Sequence, residues 1–329
     1  MPQRFLVTGG AGYVGSHLVA ALLDRGDAVV VLDSLRTGHR AAVLPGARLV
    51  EADLADPAAV DAVLADGPWD AVFHFAALSL VGESMQFPFR YLIENGVSGI
   101  GLIDACVRHG VTRFVLSSTA NLFGTPEVMP IPETARIDPG SPYGESKWML
   151  ERALLWAGRI HGLRSACLRY FNAAGADPAG RLGEDHDPET HLIPLVIDAA
   201  LGRRGEVAVF GTDYPTPDGT CIRDYVHVTD LASAHLLALD RLAEGSLTWN
   251  LGNGAGHSVL QVLRMVEHVM GRPVPHRLAG RRGGDPAVLV AAAEGALAAG
   301  WRPRFAALEE IVRTALAWRE THPHGYGQA

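Results

Sequence analysis

Residues 5–15 read Phe5-Leu6-Val7-Thr8-Gly9-Gly10-Ala11-Gly12-Tyr13-Val14-Gly15. An apolar, β-forming run passes straight into a loop with glycine at 9, 12 and 15, and a helical pattern follows over Val14–Leu23. Each glycine has its own task if this loop holds a dinucleotide. Gly9 permits the tight turn, Gly12 lets backbone approach a pyrophosphate, and Gly15 lets the helix sit close to the strand. The helix then starts with unpaired N–H groups facing the phosphates. Gly26 is placed to stop it. A glycine-rich turn without a ligand is the plainer reading. Strand, loop and helix standing in this order favour dinucleotide binding.

Asp33 closes the next strand-like run, Ala28–Asp33. A carboxylate there accepts from both hydroxyls of an adenosine ribose and repels a 2′-phosphate, so the expected cofactor is NAD. Arg36 lies near enough in sequence to reverse that preference. Asp53, at the end of the third run, suits either the adenine or the cap of the next helix.

Outward from the loop, strand-like runs at Phe5–Thr8, Ala28–Asp33, Arg48–Glu51, Ala71–Phe75, Phe114–Ser117 and Ala166–Tyr170 alternate with helical patterns. The helical patterns cover Val14–Leu23, Pro57–Leu64, Pro88–His109 and Tyr143–His161. This alternation predicts an α/β fold, a Rossmann-like doubly wound parallel sheet with ligands at the carboxyl ends of its strands. The pattern changes after Asn172. Pro178–Glu189 reads as a loop, and helical patterns recur at Ile193–Leu201, Leu231–Leu242 and Ser258–Met270. The expected division is a cofactor-binding domain over 1–172 and a smaller α/β substrate domain over 173–329, with some segments of the second returning to the first.

Composition bounds the partners. A net charge of −8 argues against non-specific nucleic-acid binding, which runs on a surplus of Lys and Arg. Cys106, Cys167 and Cys221 are far apart and form neither a disulfide framework nor a metal-ligand spacing, so a reducing cytoplasm is expected. The most apolar late stretch, Val288–Gly300, is too short to span a bilayer and contains Glu294, so no membrane association is expected. The loop carrying Asp185, His186, Asp187, Glu189 and His191 resembles a metal cluster in composition. Its spacing fits no standard site, and no metal is expected.

Tyr143 and Lys147 stand one turn apart on one face of a predicted helix. Spacing alone is equally that of an ordinary surface pair. The composition tips the balance: of 28 basic residues, only Lys147 is lysine. Arg and Lys are not interchangeable at tight sites. Proton transfer from a carbinol needs a tyrosinate, and lowering a tyrosine by about 3 pH units takes roughly 4 kcal/mol of phenolate stabilisation. A nearby ammonium and a cationic nicotinamide ring can supply it. Ser117-Ser118-Thr119 closes the fifth strand, where a hydroxyl can bridge the substrate oxygen and Tyr143. Thr119 is favoured, with Ser118 second.

Longer motifs carry a resemblance. They are Thr8–Gly15, His74-Phe75-Ala76-Ala77, Val81-Gly82-Glu83-Ser84, Ser141-Pro142-Tyr143-Gly144-x2-Lys147, Leu168-Arg169-Tyr170-Phe171-Asn172, Phe210–Thr220, Arg223-Asp224-Tyr225-x-His227-Val228 and Arg281-Arg282-x-Gly284-Asp285. Over nearly the whole chain these residues resemble the extended short-chain dehydrogenase/reductases, and within them the nucleotide-sugar 4-epimerases of the UDP-glucose/UDP-galactose kind. The resemblance implies that Tyr143 takes the sugar 4-hydroxyl proton while C4 gives hydride to NAD, and that the 4-keto sugar turns over before hydride returns. It implies cofactor contacts at Gly9, Gly12, Tyr13, Val14, Gly15, Asp33, Ser34, Asp53, Leu54, Phe75, Ala76, Ala77, Asn95, Ser117, Tyr143, Lys147 and Tyr170. It implies substrate contacts at Ser118, Thr119, Tyr143, Phe171, Asn172, His191, Leu192, Arg223, Tyr225, Arg282 and Asp285, and a homodimer through the helices at Pro88–His109 and Tyr143–His161. Leu289 falls near a position whose size limits N-acetylated sugars.

The chain also departs from the pattern. The resemblance implies tightly bound NAD, although Ser79 stands where such epimerases carry a Lys near the cofactor and Gly96 where a second Asn is usual, both at positions that grip it. Phe123 replaces a common Tyr, and Ala292 a common Asp. Other nucleotide sugars, with an N-acetylhexosamine, pentose or uronate, or on dTDP, are open alternatives. A dehydratase or decarboxylase fits less well, because Ala120 and Asn121 follow Thr119 where an acid and base for water loss would stand. A non-catalytic NAD-binding protein would have no need of the Tyr143/Lys147 pair.

Overall fold

The computed structural model describes residues 2–282 and 286–327. Its first six strands are β1 (Arg4–Thr8), β2 (Ala28–Asp33), β3 (Ala47–Glu51), β4 (Ala71–His74), β5 (Arg113–Thr119) and β6 (Arg164–Tyr170). There follow β7 (Asn172–Ala174), β8 (Val207–Phe210), β9 (Ile222–Arg223), β10 (Tyr225–His227), β11 (Leu247–Leu251), β12 (His257–Ser258), β13 (His276–Ala279) and β14 (Val288–Leu289). One seven-stranded sheet runs in the order β11-β6-β5-β4-β1-β2-β3, and all its pairings are parallel. Strand order reverses between β1 and β4, which opens a crevice beyond their carboxyl ends at Thr8 and His74. The seventh strand, β11, comes from beyond residue 172 and pairs with β6.

The helices in chain order are α1 (Tyr13–Asp24), α2 (Pro57–Ala65), α3 (Val81–Ser84), α4 (Pro88–Tyr91), α5 (Ser98–Arg108), α6 (Pro142–His161), α7 (Leu192–Ala200), α8 (Val228–Arg241), α9 (Val259–Met270), α10 (Glu294–Ala298) and α11 (Leu308–Thr321). The sheet is covered on both faces, which is why β1, β2 and β4 are almost continuously apolar. Alternate residues of β1 serve opposite faces. Phe5 and Val7 pack with Leu18 and Leu22 of α1 and Leu231 and Ala238 of α8. Leu6 packs with Val60 of α2, Leu102 of α5 and Leu150 and Leu154 of α6. A separate core joins α7, α9 and α11 to β8 and β10.

α6 begins at a well-formed cap. Ser141 Oγ accepts from the Gly144 N–H at 3.1 Å, and Pro142 occupies the first turn, where its missing N–H costs nothing. It ends at Gly162, whose φ of 73° suits glycine. The segment Pro88–His109, expected as one helix, is α4 and α5 joined by a π-helical turn over Leu92–Val97. The extra residue of that turn buries Asn95 and Gly96 against α6.

Pro178–Glu189 carries neither helix nor strand. Side chains tie it to both halves of the chain: Arg181 to Asp24 at 2.9 Å, the Asp185 carbonyl to His39 at 3.0 Å, and Glu189 to Arg319 at 3.1 Å. Among the described residues, no helix is long and apolar enough to cross a membrane.

Candidate active site

The glycine loop folds as its spacing requires. A Cβ on Gly9 would run into the backbone of Phe75 and Ala76, and one on Gly15 into the Gly9 carbonyl. Gly12 caps α1 without a side chain, so nothing from residue 12 stands between the first-turn N–H groups and the crevice. The Phe75 and Ala76 N–H groups both donate to the Thr8 carbonyl, at 2.8 and 3.1 Å, which closes the far side of the cradle. Asp33 is buried. Its two oxygens accept from the Ala11 and Leu35 N–H groups, each at 2.9 Å, and burial raises its pKa. A carboxylate has lone pairs to spare beyond these two bonds, so a ribose can still be held. Arg36 is engaged elsewhere, 2.5 Å from Glu94. The residues present therefore fit an adenine dinucleotide without a 2′-phosphate.

Two cofactor candidates have partners within the chain. Asp53 does not cap α2. It accepts from Ala55 N–H in a turn, at 2.9 Å, while Asp56 supplies the cap to Ala58 and Ala59. Asn95 reaches the site through the π-turn. Its Oδ1 accepts from Leu78 N–H at 2.8 Å, and its Nδ2 donates to the Leu78 carbonyl at 2.9 Å and to Ser146 at 3.3 Å. It thus fastens the strand end after Ala77 to α6. Ser34 is exposed, and Tyr13, Val14 and Leu54 are half-buried.

At the end of β5 the side chains alternate. Ser117 and Thr119 face one side. Ser117 is hydrogen-bonded to the Tyr170 hydroxyl, and Thr119 stands beside Tyr143. Thr119 Oγ1 accepts from Asn121, from the backbone N–H at 3.2 Å and from Nδ2 at 3.1 Å. Burial raises the Tyr143 pKa, and the Thr119 hydroxyl pulls it back down. Lys147 is fully buried one turn further along α6, where burial lowers its ammonium to about 8.

Ser118 does not join this group. The strand's period of two turns it to the opposite face, where it donates to Glu151 at 2.6 Å. Glu151 also takes a bidentate pair from Arg169 of β6, at 3.0 and 2.6 Å, and the whole cluster is buried. Sequence reasoning missed Glu151. The signal was present: it continues the series Tyr143, Lys147 at the same four-residue step along α6. It missed Asn121 as well.

Further candidates lie from Phe171 onward. Asn172, just past β6, donates through Nδ2 to the Asp224 carbonyl at 3.0 Å. Asp224 is buried and accepts from the N–H groups of Asn253, Gly254 and Ala291. That fixes β9, where Arg223 pairs with Leu289 of β14 and His257 of β12. Phe171 packs with Leu289 against Phe123 and Ile131. Tyr225 is buried. The Arg282 guanidinium lies 4.0 Å over the Phe210 ring, whereas Arg281 is taken up by Tyr214 and Asp213. Leu192 opens α7, and the His191 ring beside it is turned to Glu184 and Glu189, at 2.9 and 3.1 Å. Asp285 lies outside the described residues.

Residues 5–252 match the model of the NAD dependent epimerase/dehydratase family. The chain belongs to that family. Among its members, the UDP-glucose 4-epimerase of Streptococcus mutans is 49% identical, over 98% of this chain and 99% of that protein. The crystal structure of UDP-glucose 4-epimerase from Brucella ovis in complex with NAD superposes with a TM-score of 0.93 at 43% identity, covering 96% of this chain and 98% of that one. The UDP-Glc/GlcNAc 4-epimerase of Campylobacter jejuni superposes at 0.85 with 39% identity, over 97% and 99% of the two chains. The NAD dependent epimerase/dehydratase fold thus extends over essentially the whole chain, second half included.

Proposed function

We propose that this chain interconverts UDP-glucose and UDP-galactose as an NAD-dependent 4-epimerase, through a transient 4-keto sugar. One observation carries the reading. Thr119 closes β5 close enough to Tyr143 to hold its pKa down, and Lys147 is fully buried one turn further along α6, at the carboxyl end of the sheet that carries the glycine cradle. Bound NAD supplies hydride acceptance at the sugar C4 and hydride return to the opposite face. The glycine loop holds its pyrophosphate and Asp33 its adenosine ribose. Tyr143 takes the 4-hydroxyl proton and later gives it back, while Thr119 bridges the sugar oxygen and the phenol. The Lys147 ammonium favours the phenolate and offers donors to the nicotinamide ribose. Asn172, Arg223 and Arg282 grip the uridine diphosphate, and Asp285 accepts from its ribose. Two guanidiniums give an acidic protein the local positive charge that an anionic substrate needs. Ala120 and Asn121 offer no acid–base pair for water loss, which sets the dehydratase reading aside.

The Campylobacter jejuni relative makes an N-acetylated sugar the second reading. Leu289, packed beside Phe171, supports the smaller sugar. The experiment is a product assay. UDP-galactose with added NAD should give UDP-glucose, and UDP-N-acetylgalactosamine should turn over more slowly. No conversion of any UDP-hexose, in protein shown to bind NAD, would refute the epimerase reading.

Three further assignments belong to this proposal. Residues 1–172 serve the cofactor and 173–329 the nucleotide sugar, with α8 and β11 returning to the first half. The chain works as a homodimer, supported by the exposed apolar side chains of Phe89, Ile93, Val97, Trp156 and Ile160 along α4, the π-turn and α6. It works in the cytoplasm, supported by three free cysteines that are all buried.

A further inference from the structure

The loop before α7 holds a group that takes no part in the proton and hydride transfers. Glu184, His186, Glu189 and His191 each present one ligand atom, and these four atoms lie within 4.8 Å of one another. His186 Nδ1 is 3.4 Å from Glu184 and 3.7 Å from Glu189, and His191 Nδ1 is 2.9 Å from Glu184 and 3.1 Å from Glu189. Zinc bonds of about 2.0–2.2 Å to nitrogen and oxygen in a tetrahedron place neighbouring ligand atoms about 3.3–3.6 Å apart. One atom from each residue lies within 4.8 Å of the other three, so small side-chain rotations bring all four onto one ion.

A second observation is independent of spacing. Glu184 is buried, and neither its Oε1 nor the buried His186 Nδ1 makes an aligned hydrogen bond, although His191 Nδ1 lies 2.9 Å from that oxygen. They lie near each other without aligning, as atoms do that share a third partner rather than a proton. The surroundings are those of an outer coordination shell. Glu189 Oε1 accepts from the N–H groups of Thr190 and His191, each at 2.8 Å, and its Oε2 from Arg319 at 3.1 Å. The His186 ring stands edge-on to Tyr13, whose hydroxyl donates to the Gly175 carbonyl at 2.6 Å.

We propose that Glu184, His186, Glu189 and His191 form a closed, four-ligand site for a divalent transition-metal ion, zinc by preference. Two imidazoles and two carboxylates suit that ion, and the two negative charges balance it. With four protein ligands the site leaves no position open for substrate, so its task is structural. It staples the loop that Arg181, His39, Arg319 and Tyr326 fasten to both halves of the chain. The spacing Glu-x-His-x2-Glu-x-His lies on irregular backbone, which is why it matches no helical or ribbon pattern in the sequence. The competing state is two imidazolium ions, since in a metal-free cluster the carboxylates raise His186 to about 9 and His191 to about 10.

The test does not use turnover. Full-length, NAD-loaded protein, grown with zinc and passed through gel filtration, should carry about one zinc per chain by elemental mass spectrometry. Dipicolinate should remove it and lower the Tm, and added Zn2+ or Mn2+ should restore both. His186→Ala and Glu189→Gln should each lose the metal and the chelator effect. Should those variants fail to fold, anomalous diffraction at the zinc edge from wild-type crystals should place the ion among the four residues. Wild type that takes up no stoichiometric zinc or manganese, a Tm indifferent to chelator, or an anomalous peak elsewhere would overturn the site and leave the imidazolium pairs as the occupants.

Discussion

Lys147 is buried for chemistry at a cost to stability. Its ammonium holds a proton up to about pH 8 in the folded chain, against about 10.4 when unfolded. Between those values the unfolded state binds more protons, so this group's contribution to stability rises with pH across that window. The penalty is fully present at pH 7, on the order of 3 kcal/mol. Lys147→Met should therefore raise the Tm of cofactor-free protein at pH 7, with the gain shrinking from pH 8 to 10, while epimerisation is lost. Thermal melts across that range decide it, and a lower Tm for the variant would remove the argument. Lys147→Arg keeps the charge but replaces a compact ammonium with a planar fork in a closed space, and should lose most of its activity. Wild-type turnover in that variant would make the lone lysine a coincidence of composition. At Thr119 the prediction concerns pH. Thr119→Val removes the hydroxyl that lowers Tyr143, so the acid limb of kcat/KM should move to higher pH and kcat fall by about 10²–10⁴. An unshifted limb would mean the hydroxyl does not act on Tyr143.

At the scale of elements, α6 is the part that must not move, because it carries both Tyr143 and Lys147. Its anchor is the buried Glu151–Arg169 pair, which joins it to β6, with Ser118 joining it to β5. Arg169→Met would leave the Glu151 carboxylate buried with Ser118 as its remaining side-chain donor, and should destabilise by about 3–5 kcal/mol in urea unfolding. Glu151→Leu combined with Arg169→Met should recover most of that loss, since an apolar pair of similar volume replaces the ions. If the double variant is as unstable as the single, the pair contributes more than mutual neutralisation. This network shows where sequence reading stops. The strands and α1 were legible because apolar runs and Gly9, Gly12 and Gly15 speak through local geometry. Tyr143 and Lys147 were legible because helical spacing places them together. Ser118 was misplaced because the strand's outward and inward positions could not be phased against α6. The π-turn was invisible, since one inserted residue hardly disturbs the apolar period of Pro88–His109. Asn95 makes its role through contacts far away in sequence, at Leu78 and Ser146.

At the scale of the whole molecule, the parallel sheet brings residues from the ends of β1, β2, β4, β5 and β6 to one rim. That leaves the outer surface of α4, the π-turn and α6 to be explained. Phe89 is 75% exposed, Ile160 67% and Trp156 50%, and the inner face of α6 is taken up by the sheet core. Apolar side chains of this size in one region exceed what a lone surface carries without consequence. A two-fold axis beside them would set these helices of one copy against the same helices of another, burying each patch in its twin. The contact would then couple indirectly to catalysis, because α6 carries Tyr143 on its other side. Phe89→Asp with Ile160→Asp puts like charges where the copies meet, and should halve the solution mass measured by light scattering. The variant should still bind NAD, since neither residue lines the cradle. Wild-type protein that is already monomeric at micromolar concentration, or a double variant with undiminished mass, would show that the copies do not meet through this face.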